Sequence, residues 1–498
     1  MNHLGFPIQR VVSMLAALVL AASLAVAQDD SGTGSTGAVP AATAPAEQNN
    51  VENPPLSGLD QPTAEPAFGG RSYLMPGFQL SESVDANVGG SSTTSHTSEI
   101  TRALASADLQ KIWRQYQFGL DYIAAGDFYA GPLIDKNRSR ATQVHTLAAV
   151  QRFLWRTGQL AIRDSFDYLP EGSFGFGSYG GAGSFGSSLG GGISGSGAGT
   201  GLGSGLGTGG IGSGSFGSLG YQPRIDNTAI VDITQGLSPR TTVTLAGGYG
   251  LAHYLEVPNP QFPVINSQQV NGQVGFNHLL SRKDQIGLAY GFQELHFPNA
   301  GSGTVTAHVG NVLYGHRISG KLNLTIAAGP QLVIVHHAPS GNPLIPSQTK
   351  ALSTNGSVTL AYTVSNRTNV QLAYRRYVTP GSGFYAGANT DSVRLSVGHR
   401  LGRRWMTTTD GGYSHNTNLQ RSSTITTGGK SHSYQFWYAG TSLQRQLGQH
   451  FSAFASYQFN DLGLGPCPSS GSTTCSVNNS RHTGMIGLNW HPKPIRLD

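Results

Sequence analysis

One stretch of this chain decides its fold: residues 285–292 read QIGLAYGF. The large apolar residues Ile286, Leu288, Tyr290 and Phe292 stand at every second position, and only glutamine, glycine and alanine come between them. A period of two places successive side chains on opposite faces of a β-strand. The stretch therefore predicts a strand with one large apolar face and one face of small or polar residues.

The same period recurs at hairpin spacing from about residue 73 to residue 490. Small and polar residues are poor material for a water-excluding core, so the apolar face must meet another apolar phase. Lipid meets this requirement, and a closed sheet is the only kind of sheet that spans lipid without unpaired edges. The sequence predicts an all-β protein that forms a transmembrane antiparallel up-and-down β-barrel.

About eighteen strands are predicted, an even number, as single-chain bacterial barrels require. They are expected at residues 73–87, 98–112, 116–129, 142–156, 159–169, 224–237, 241–255, 266–280, 284–297, 304–318, 321–337, 350–364, 368–379, 390–401, 405–418, 431–446, 450–461 and 477–490. Short turns alternate with long polar loops along this segmentation. Outer-membrane barrels keep short turns in the periplasm and long loops outside, so both termini are expected in the periplasm.

The N-terminus is predicted to be an export signal. Arg10 supplies a positive charge, residues 11–24 are apolar, and Ala25-Val26-Ala27 forms an A-x-A cleavage site. This order is typical of a secretory signal peptide. Residues 1–27 are therefore expected to be removed, which directs the remaining chain to the cell envelope and, as a barrel, to the outer membrane.

The remaining chain is divided by composition. Residues 28–71 are rich in Pro, Ala, Thr, Gly and Asn without periodicity, which predicts a disordered periplasmic leader. The barrel is expected to span residues 72–490, and residues 491–498 form a C-terminal extension. Residues 172–220 are nearly half glycine and lie between the fifth and sixth predicted strands. They are expected to form an external loop, either flexible at the surface or folded into the lumen.

Cys467 and Cys475, the two cysteines of the chain, lie close together in the last predicted external loop. In an exported protein this spacing predicts a local disulfide. The alternative, a metal pair, lacks nearby histidine partners.

Other functions find little support in the sequence. The net charge of +6 comes from scattered residues, and no basic patch is interleaved with aromatic residues, so nucleic acid is not an expected partner. Ser, His and Asp are frequent, but no motif fixes a nucleophile beside a base, so the protein is not expected to be an enzyme. The adjacent pair His336 and His337 lacks the ligand spacing of a metal site, and no metal or cofactor is predicted.

Strand parity identifies charged residues that are expected to line the lumen. Arg375 lies on the small and polar face of a strand whose other face carries Leu372 and Tyr374. The same reasoning selects five residues as lumen-lining candidates: Arg152, Arg375, Arg394, Asp121 and Asp232. Charges are costly on the lipid face of a barrel and tune ion selectivity on the lumen face. Arg375 and Arg394 lie on neighbouring strands, so a weak preference for anions is expected. The alternative is that the lumen-lining charges pair across the barrel and only stabilise it.

Aromatic residues near strand ends are expected to form the girdles at the membrane interfaces. The candidates are Tyr249, Trp437, Tyr438, Tyr457, Phe459 and Trp490.

The chain resembles the Gram-negative outer-membrane β-barrels, and the porin-like class in particular, over about residues 72–490. The resemblance rests on the signal peptide, the alternating strands, the order of turns and loops, and the last strand, residues 484–490, which reads GMIGLNW. Its apolar positions Leu488 and Trp490 are similar to the C-terminal signal that the barrel-assembly machinery reads, although eight residues follow Trp490 here.

The resemblance implies a channel through which small polar solutes diffuse, with membrane lipid and the assembly machinery as further partners. About 18 strands would leave an aqueous lumen. Two alternatives stay open: a plugged barrel that binds a partner through its external loops, and, less favoured, an outer-membrane enzyme.

Overall fold

The computed structural model describes residues 56–57, 72–91, 94–130, 140–169, 224–255, 265–298, 303–337, 347–380, 386–419, 433–464 and 478–497. The predicted signal peptide, the Gly-rich segment 172–220 and both cysteines lie outside these residues. Among the described residues, no helix has the length and apolar character that crossing a membrane requires.

The described chain folds into one antiparallel sheet. Its strands are β1 (Tyr73–Ser91), β2 (Thr94–Ile112), β3 (Tyr116–Ala130), β4 (Ala141–Trp155), β5 (Gly158–Leu169), β6 (Arg224–Ser238), β7 (Thr241–Tyr254), β8 (Ser267–Leu279), β9 (Asp284–His296), β10 (Thr304–Ser319), β11 (Leu322–His336), β12 (Gln348–Ser365), β13 (Thr368–Thr379), β14 (Ala388–His399), β15 (Trp405–Asn418), β16 (Ser433–Gln446), β17 (Phe451–Leu464), β18 (Asn478–Trp490) and β19 (Ile495–Arg496).

The sheet closes on itself. Each strand from β1 to β17 pairs with the next one along the chain, and β18 pairs with β1 from Phe78↔Trp490 to Ala86↔His482. The prediction of a closed antiparallel barrel of about 18 strands is confirmed. Closure satisfies the backbone hydrogen bonds that the edge of an open sheet would leave unpaired.

The barrel has an apolar outer face. In β9, Ile286, Leu288 and Tyr290 are exposed, whereas Gln285, Gly287 and Ala289 between them are buried. The same alternation continues around the ring, with exposed Leu245, Val274, Val312 and Leu395 on other strands. In a soluble protein so wide an exposed apolar surface would aggregate, so this face is suited to lipid.

Three features differ from the sequence predictions or add to them. The β1–β2 connection holds only residues 92–93, although a long loop is expected there. The C-terminal extension is partly ordered, because Ile495 and Arg496 pair with Leu74 and Tyr73 of β1. Leu56 and Ser57, which fall within the predicted leader, are buried against the inner face of the barrel.

The inner face also carries more large apolar residues than its small and polar pattern predicts. Leu295, Val305, Val333 and Val335 point inward near the long-loop ends of their strands and pack into one buried cluster with Phe297. A second cluster joins inward residues of β2, β3 and β4: Leu104, Ile123, Ala125 and Val144. Parts of the lumen are therefore filled by packed side chains rather than by water.

Candidate functional site on the inner wall

The inner wall consists of the residues that alternate with the exposed outer positions. On β14, Val393 and Leu395 are exposed on the outer face, so Arg394 between them faces the lumen. On β13, exposed Leu372 and Tyr374 place Arg375 on the inner side next to Tyr374. Parity thus puts both arginines on one wall of the barrel.

Arg375 and Arg394 are diagonal neighbours. Arg375 lies opposite Ser392 in the β13–β14 register, and Arg394 is two residues further along β14 on the same face. The Arg394 side chain is 61% exposed, although it lies on the inner face of the barrel. Water therefore reaches this part of the wall.

Arg394 has an acidic partner that the sequence analysis does not include. Its Nε donates to Oδ2 of Asp410 on β15 at 2.9 Å, and the Asp410 side chain is almost fully buried. Parity along one strand selects Arg394, but the choice of partner depends on the register between β14 and β15. This contact offsets part of the charge on which the expected anion preference depends.

Arginine–aspartate pairs recur around the inner wall of the described barrel. Arg102 makes a bidentate contact with Asp127, with Nε and Nη2 at 2.6 and 2.9 Å from the two carboxylate oxygens. Such forked contacts are the stronger kind of charged hydrogen bond. Further pairs are Arg163–Asp232, Arg224–Asp226 and Arg481–Asp85. Most of these side chains are buried. All of the pairs except Arg224–Asp226, whose residues both lie on β6, join neighbouring strands.

Of the other lumen-lining candidates predicted from the sequence, one is paired with an arginine and two are half-buried on the inner face. Asp232 contacts Arg163 on β5 and belongs to the pairs just described. Arg152 is half-buried on the same face of β4 as buried Val150. Asp121 is half-buried on the inner face of β3, directly opposite Asp108 of β2.

The opposition of Asp108 and Asp121 places two carboxyl groups on one stretch of wall. The hydroxyl of Tyr73 donates to Oδ2 of Asp108 at 2.9 Å. Asp108 is absent from the sequence candidates, although the alternation of β2, with Leu109 after it and Ala107 before it, contains the signal that would select it.

These acidic and basic residues lie at a similar height. Asp108 and Asp121 are four and five residues from the short-turn ends of β2 (112 − 108) and β3 (121 − 116). Arg394 and Arg375 are five and seven residues from the same ends of β14 (399 − 394) and β13 (375 − 368). All four side chains are at least partly exposed.

They also lie on opposite arcs of the ring. Seven strands separate β3 from β13 in one direction, β14 to β18 with β1 and β2, and nine, β4 to β12, separate them in the other. We call the space between Asp108 and Asp121 on one side and Arg375 and Arg394 on the other the charged passage.

The inner wall on the arc from β4 to β12 differs from that of β13 and β14 in how deeply its residues are buried. Along β8 and β9 every inward residue is buried, from Ser267 to Asn277 and from Gln285 to Leu295. Along β13 and β14 only the residues near the long-loop ends, such as Thr379 and Thr390, are buried, and the remainder of the wall is accessible. The accessible part of the inner wall thus lies on the side of β13 and β14 and not on the side of β8 and β9.

The remaining sequence candidates lie at the outer face or beyond the described residues. Leu488 and Trp490 are exposed on the outer face of β18, where a role in assembly stays a prediction. Of the predicted girdle residues, Tyr249, Trp437 and Trp490 are exposed on the outer face. Tyr438 is buried on the inner face, so its prediction is wrong: it follows Trp437 directly, and consecutive residues of a strand cannot share a face.

In the part of the chain that the structure describes, no three His, Cys, Asp or Glu side chains cluster as metal ligands would. His337 instead contacts Thr349, with Nε2 at 2.7 Å from Oγ1.

Comparisons with known proteins find similar solved structures. No protein-family model and no curated protein matches the chain. Acinetobacter baumannii OccAB4 is 10% identical with a TM-score of 0.41, over 85% of this chain and 98% of that one. Pseudomonas aeruginosa OpdQ is 9% identical with a TM-score of 0.40, over 85% and 99%. Pseudomonas aeruginosa OccK2 (OpdF), solved in complex with glucuronate, is 9% identical with a TM-score of 0.39, over 85% and 98%.

Proposed function

We propose that this protein is an outer-membrane channel through which small polar solutes diffuse along the charged passage. The observation that carries the proposal is the exposure of Arg394: a basic side chain on the inner face of the barrel is 61% exposed. A charged side chain on the inner wall stays accessible only where the lumen holds water. The lipid-suited outer face and the closed sheet supply the membrane-spanning frame.

The charge pattern supports a polar solute rather than a strongly selected ion. Arg375 and Arg394 face Asp108 and Asp121, so the electric field points across the passage and the opposite charges largely cancel along it. Rings or patches of fixed charge set ion selectivity in pores. The parent channel is therefore expected to select only weakly between anions and cations, and a solute that carries both charges fits the field.

Removing the charges on one side of the passage at a time tests this arrangement. Arg375→Ala with Arg394→Ala is expected to shift the reversal potential in a salt gradient toward cation preference, because Asp108, Asp121 and Asp410 stay. Asp108→Asn with Asp121→Asn is expected to shift it the other way. Both shifts should fade in high salt, since the Debye length falls from about 10 Å at 0.1 M to about 3 Å at 1 M.

Arg376→Ala is the matched control. Arg376 is the next residue on β13 but faces outward, where its Nη1 lies 3.6 Å from Oδ1 of Asp391, so its removal should leave the reversal potential unchanged. A reversal potential that neither double substitution moves would refute the charged passage.

The plugged-barrel alternative is favoured by one observation, the burial of the inner wall from Ser267 to Asn277 on β8 and from Gln285 to Leu295 on β9. A purified protein that inserts into a bilayer but never conducts would favour that function instead.

A further inference from the structure

The inner wall carries a binding site for two residues of the chain's own N-terminal segment. Leu56 and Ser57 are each only 4% exposed. The backbone N–H groups of Leu56 and Ser57 both donate to Oδ1 of Asn277, at 2.9 and 3.1 Å. The Asn277 side-chain amide donates in turn to Oγ of Ser57 at 2.7 Å. One inward-facing asparagine of β8 thus forms hydrogen bonds with both the backbone and the side chain of this dipeptide.

The wall around Asn277 is shaped to accept the dipeptide. Ser57 Oγ also lies 2.5 Å from Oγ1 of Thr244 on β7. A Cβ at Gly275 would come within 2.2 Å of the Ser57 side chain, and a Cβ at Gly315 within 3.1 Å of Leu56 Cδ2. Two inward glycines therefore make the space that Leu56 and Ser57 fill.

The Leu56 side chain supplies the apolar part of the contact. It packs into a buried cluster with inward-facing Ala289, Val309, Leu313 and Ala327 of β9, β10 and β11. Burial of this side chain removes apolar surface from water, which favours the bound state. The contact therefore combines buried hydrogen bonds with one apolar anchor.

The site lies at the height of the charged passage. Thr244 and Asn277 are three and two residues from the short-turn ends of β7 (244 − 241) and β8 (279 − 277), and Ala289 is five residues from that of β9 (289 − 284). These strands lie on the nine-strand arc between β3 and β13. The dipeptide therefore occupies part of the lumen cross-section at the level of Asp121 and Arg394.

We propose that Leu56–Ser57 is a latch that binds the inner wall at Asn277 and narrows the passage, and that its release widens the passage. This inference rests on the proposed channel function for its effect on conductance, whereas the binding itself does not. A test must therefore measure the two separately.

Cross-linking measures the binding. In a Cys467→Ser, Cys475→Ser background, Ser57→Cys with Thr244→Cys is expected to form a disulfide on mild oxidation, detected by mass spectrometry, because the two hydroxyl oxygens are 2.5 Å apart. The control pairs Ser57→Cys with Ser452→Cys, an inward position on β17. Seven strands separate β17 from β7, which carries Thr244, in one direction, and nine strands separate them in the other. This control pair should stay reduced.

Single-channel recording measures the effect on the passage. The oxidised 57/244 protein is expected to stay at a low-conductance level, and reduction should restore transitions to a higher one. Asn277→Ala removes the hydrogen bonds of the dipeptide and should lose the low level. The control Asn271→Ala changes the same residue type on the same face of β8, and its amide atoms make no hydrogen bond in the described structure, so it should behave as the parent.

Each failure has a distinct meaning. Absence of the 57/244 disulfide would overturn the binding of the latch, whatever the channel conducts. A disulfide that forms without changing conductance between the oxidised and reduced states would overturn its control of the passage. A protein that conducts in neither state would overturn both the channel function and the latch's effect, while the disulfide yield would still decide the binding.

Discussion

Arg481 and Asp85 join the last strand of the barrel to the first. Arg481 makes a forked contact with the Asp85 carboxylate, and both side chains are nearly buried. The closing seam, where β18 meets β1, thus contains a bidentate ion pair in addition to the backbone ladder. Removing one partner of a buried pair leaves the other charge buried without compensation.

Asp85→Ala is therefore expected to lower the free energy of unfolding by about 3–5 kcal/mol, measured by urea titration of the folded barrel in lipid vesicles with tryptophan fluorescence. Asp391→Ala breaks the half-exposed outer pair with Arg376 and should cost no more than about 1 kcal/mol.

The double variant Asp85→Ala with Arg481→Ala should recover part of the loss, because no unpaired buried charge remains. A single Asp85→Ala variant as stable as the parent would show that the pair does not hold the seam.

The face of the sheet on which a residue lies was predictable from the sequence where apolar and polar residues alternate with a period of two. Arg375, Arg394 and Asp121 face inward because large apolar residues flank them. Their partners were not predictable. The contact of Arg394 with Asp410 and the opposition of Asp121 to Asp108 depend on the register between strands, which a single strand does not encode.

At the level of the strand, alternation determines which substitutions the barrel tolerates. Leu395 faces outward on β14 and is exposed, while Ser396, the next residue, faces inward near Asp410. Leu395→Arg is expected to cost about 2–4 kcal/mol, as arginine does on the lipid face near the bilayer midplane. Ser396→Arg should cost less than about 1 kcal/mol, because its side chain faces the lumen and not lipid.

The folded fraction of both variants is measured by heat-modifiable mobility on detergent gels across a urea series. Equal losses for Leu395→Arg and Ser396→Arg would contradict the assignment of the two faces of β14.

The strands themselves were largely predictable. The predicted bounds of β13 and β15 equal the observed ones, 368–379 and 405–418. The β1–β2 hairpin differs because residues 88–93, VGGSST, have the composition of a loop. In the structure, β1 extends to Ser91 and β2 begins at Thr94, with register shifts in their pairing. Backbone hydrogen bonds between the two strands hold this part of the hairpin in spite of its loop-like composition.

The whole molecule combines a lipid-suited outside with an inside that is partly packed and partly wet. The packed part includes the clusters around Leu295 and Leu104 and the latch at Asn277. No sequence pattern marks Leu56 and Ser57 as a ligand of the inner wall, because the contact joins residues 220 positions apart and one of them lies in a segment without periodicity. The wet part follows β13 and β14, and it is the feature on which the proposed function depends.

Cysteine accessibility during conduction tests that feature. In a Cys467→Ser, Cys475→Ser background, Arg394→Cys and Leu395→Cys are exposed in turn to a charged, membrane-impermeant thiosulfonate while single channels are recorded in a planar bilayer. Modification at residue 394 should change the current in discrete steps, because this side chain lies in the passage, whereas the Leu395→Cys channel should be unaffected, because its thiol faces lipid. A current that is insensitive at residue 394, or that responds equally at residue 395, would contradict a solute passage along β14.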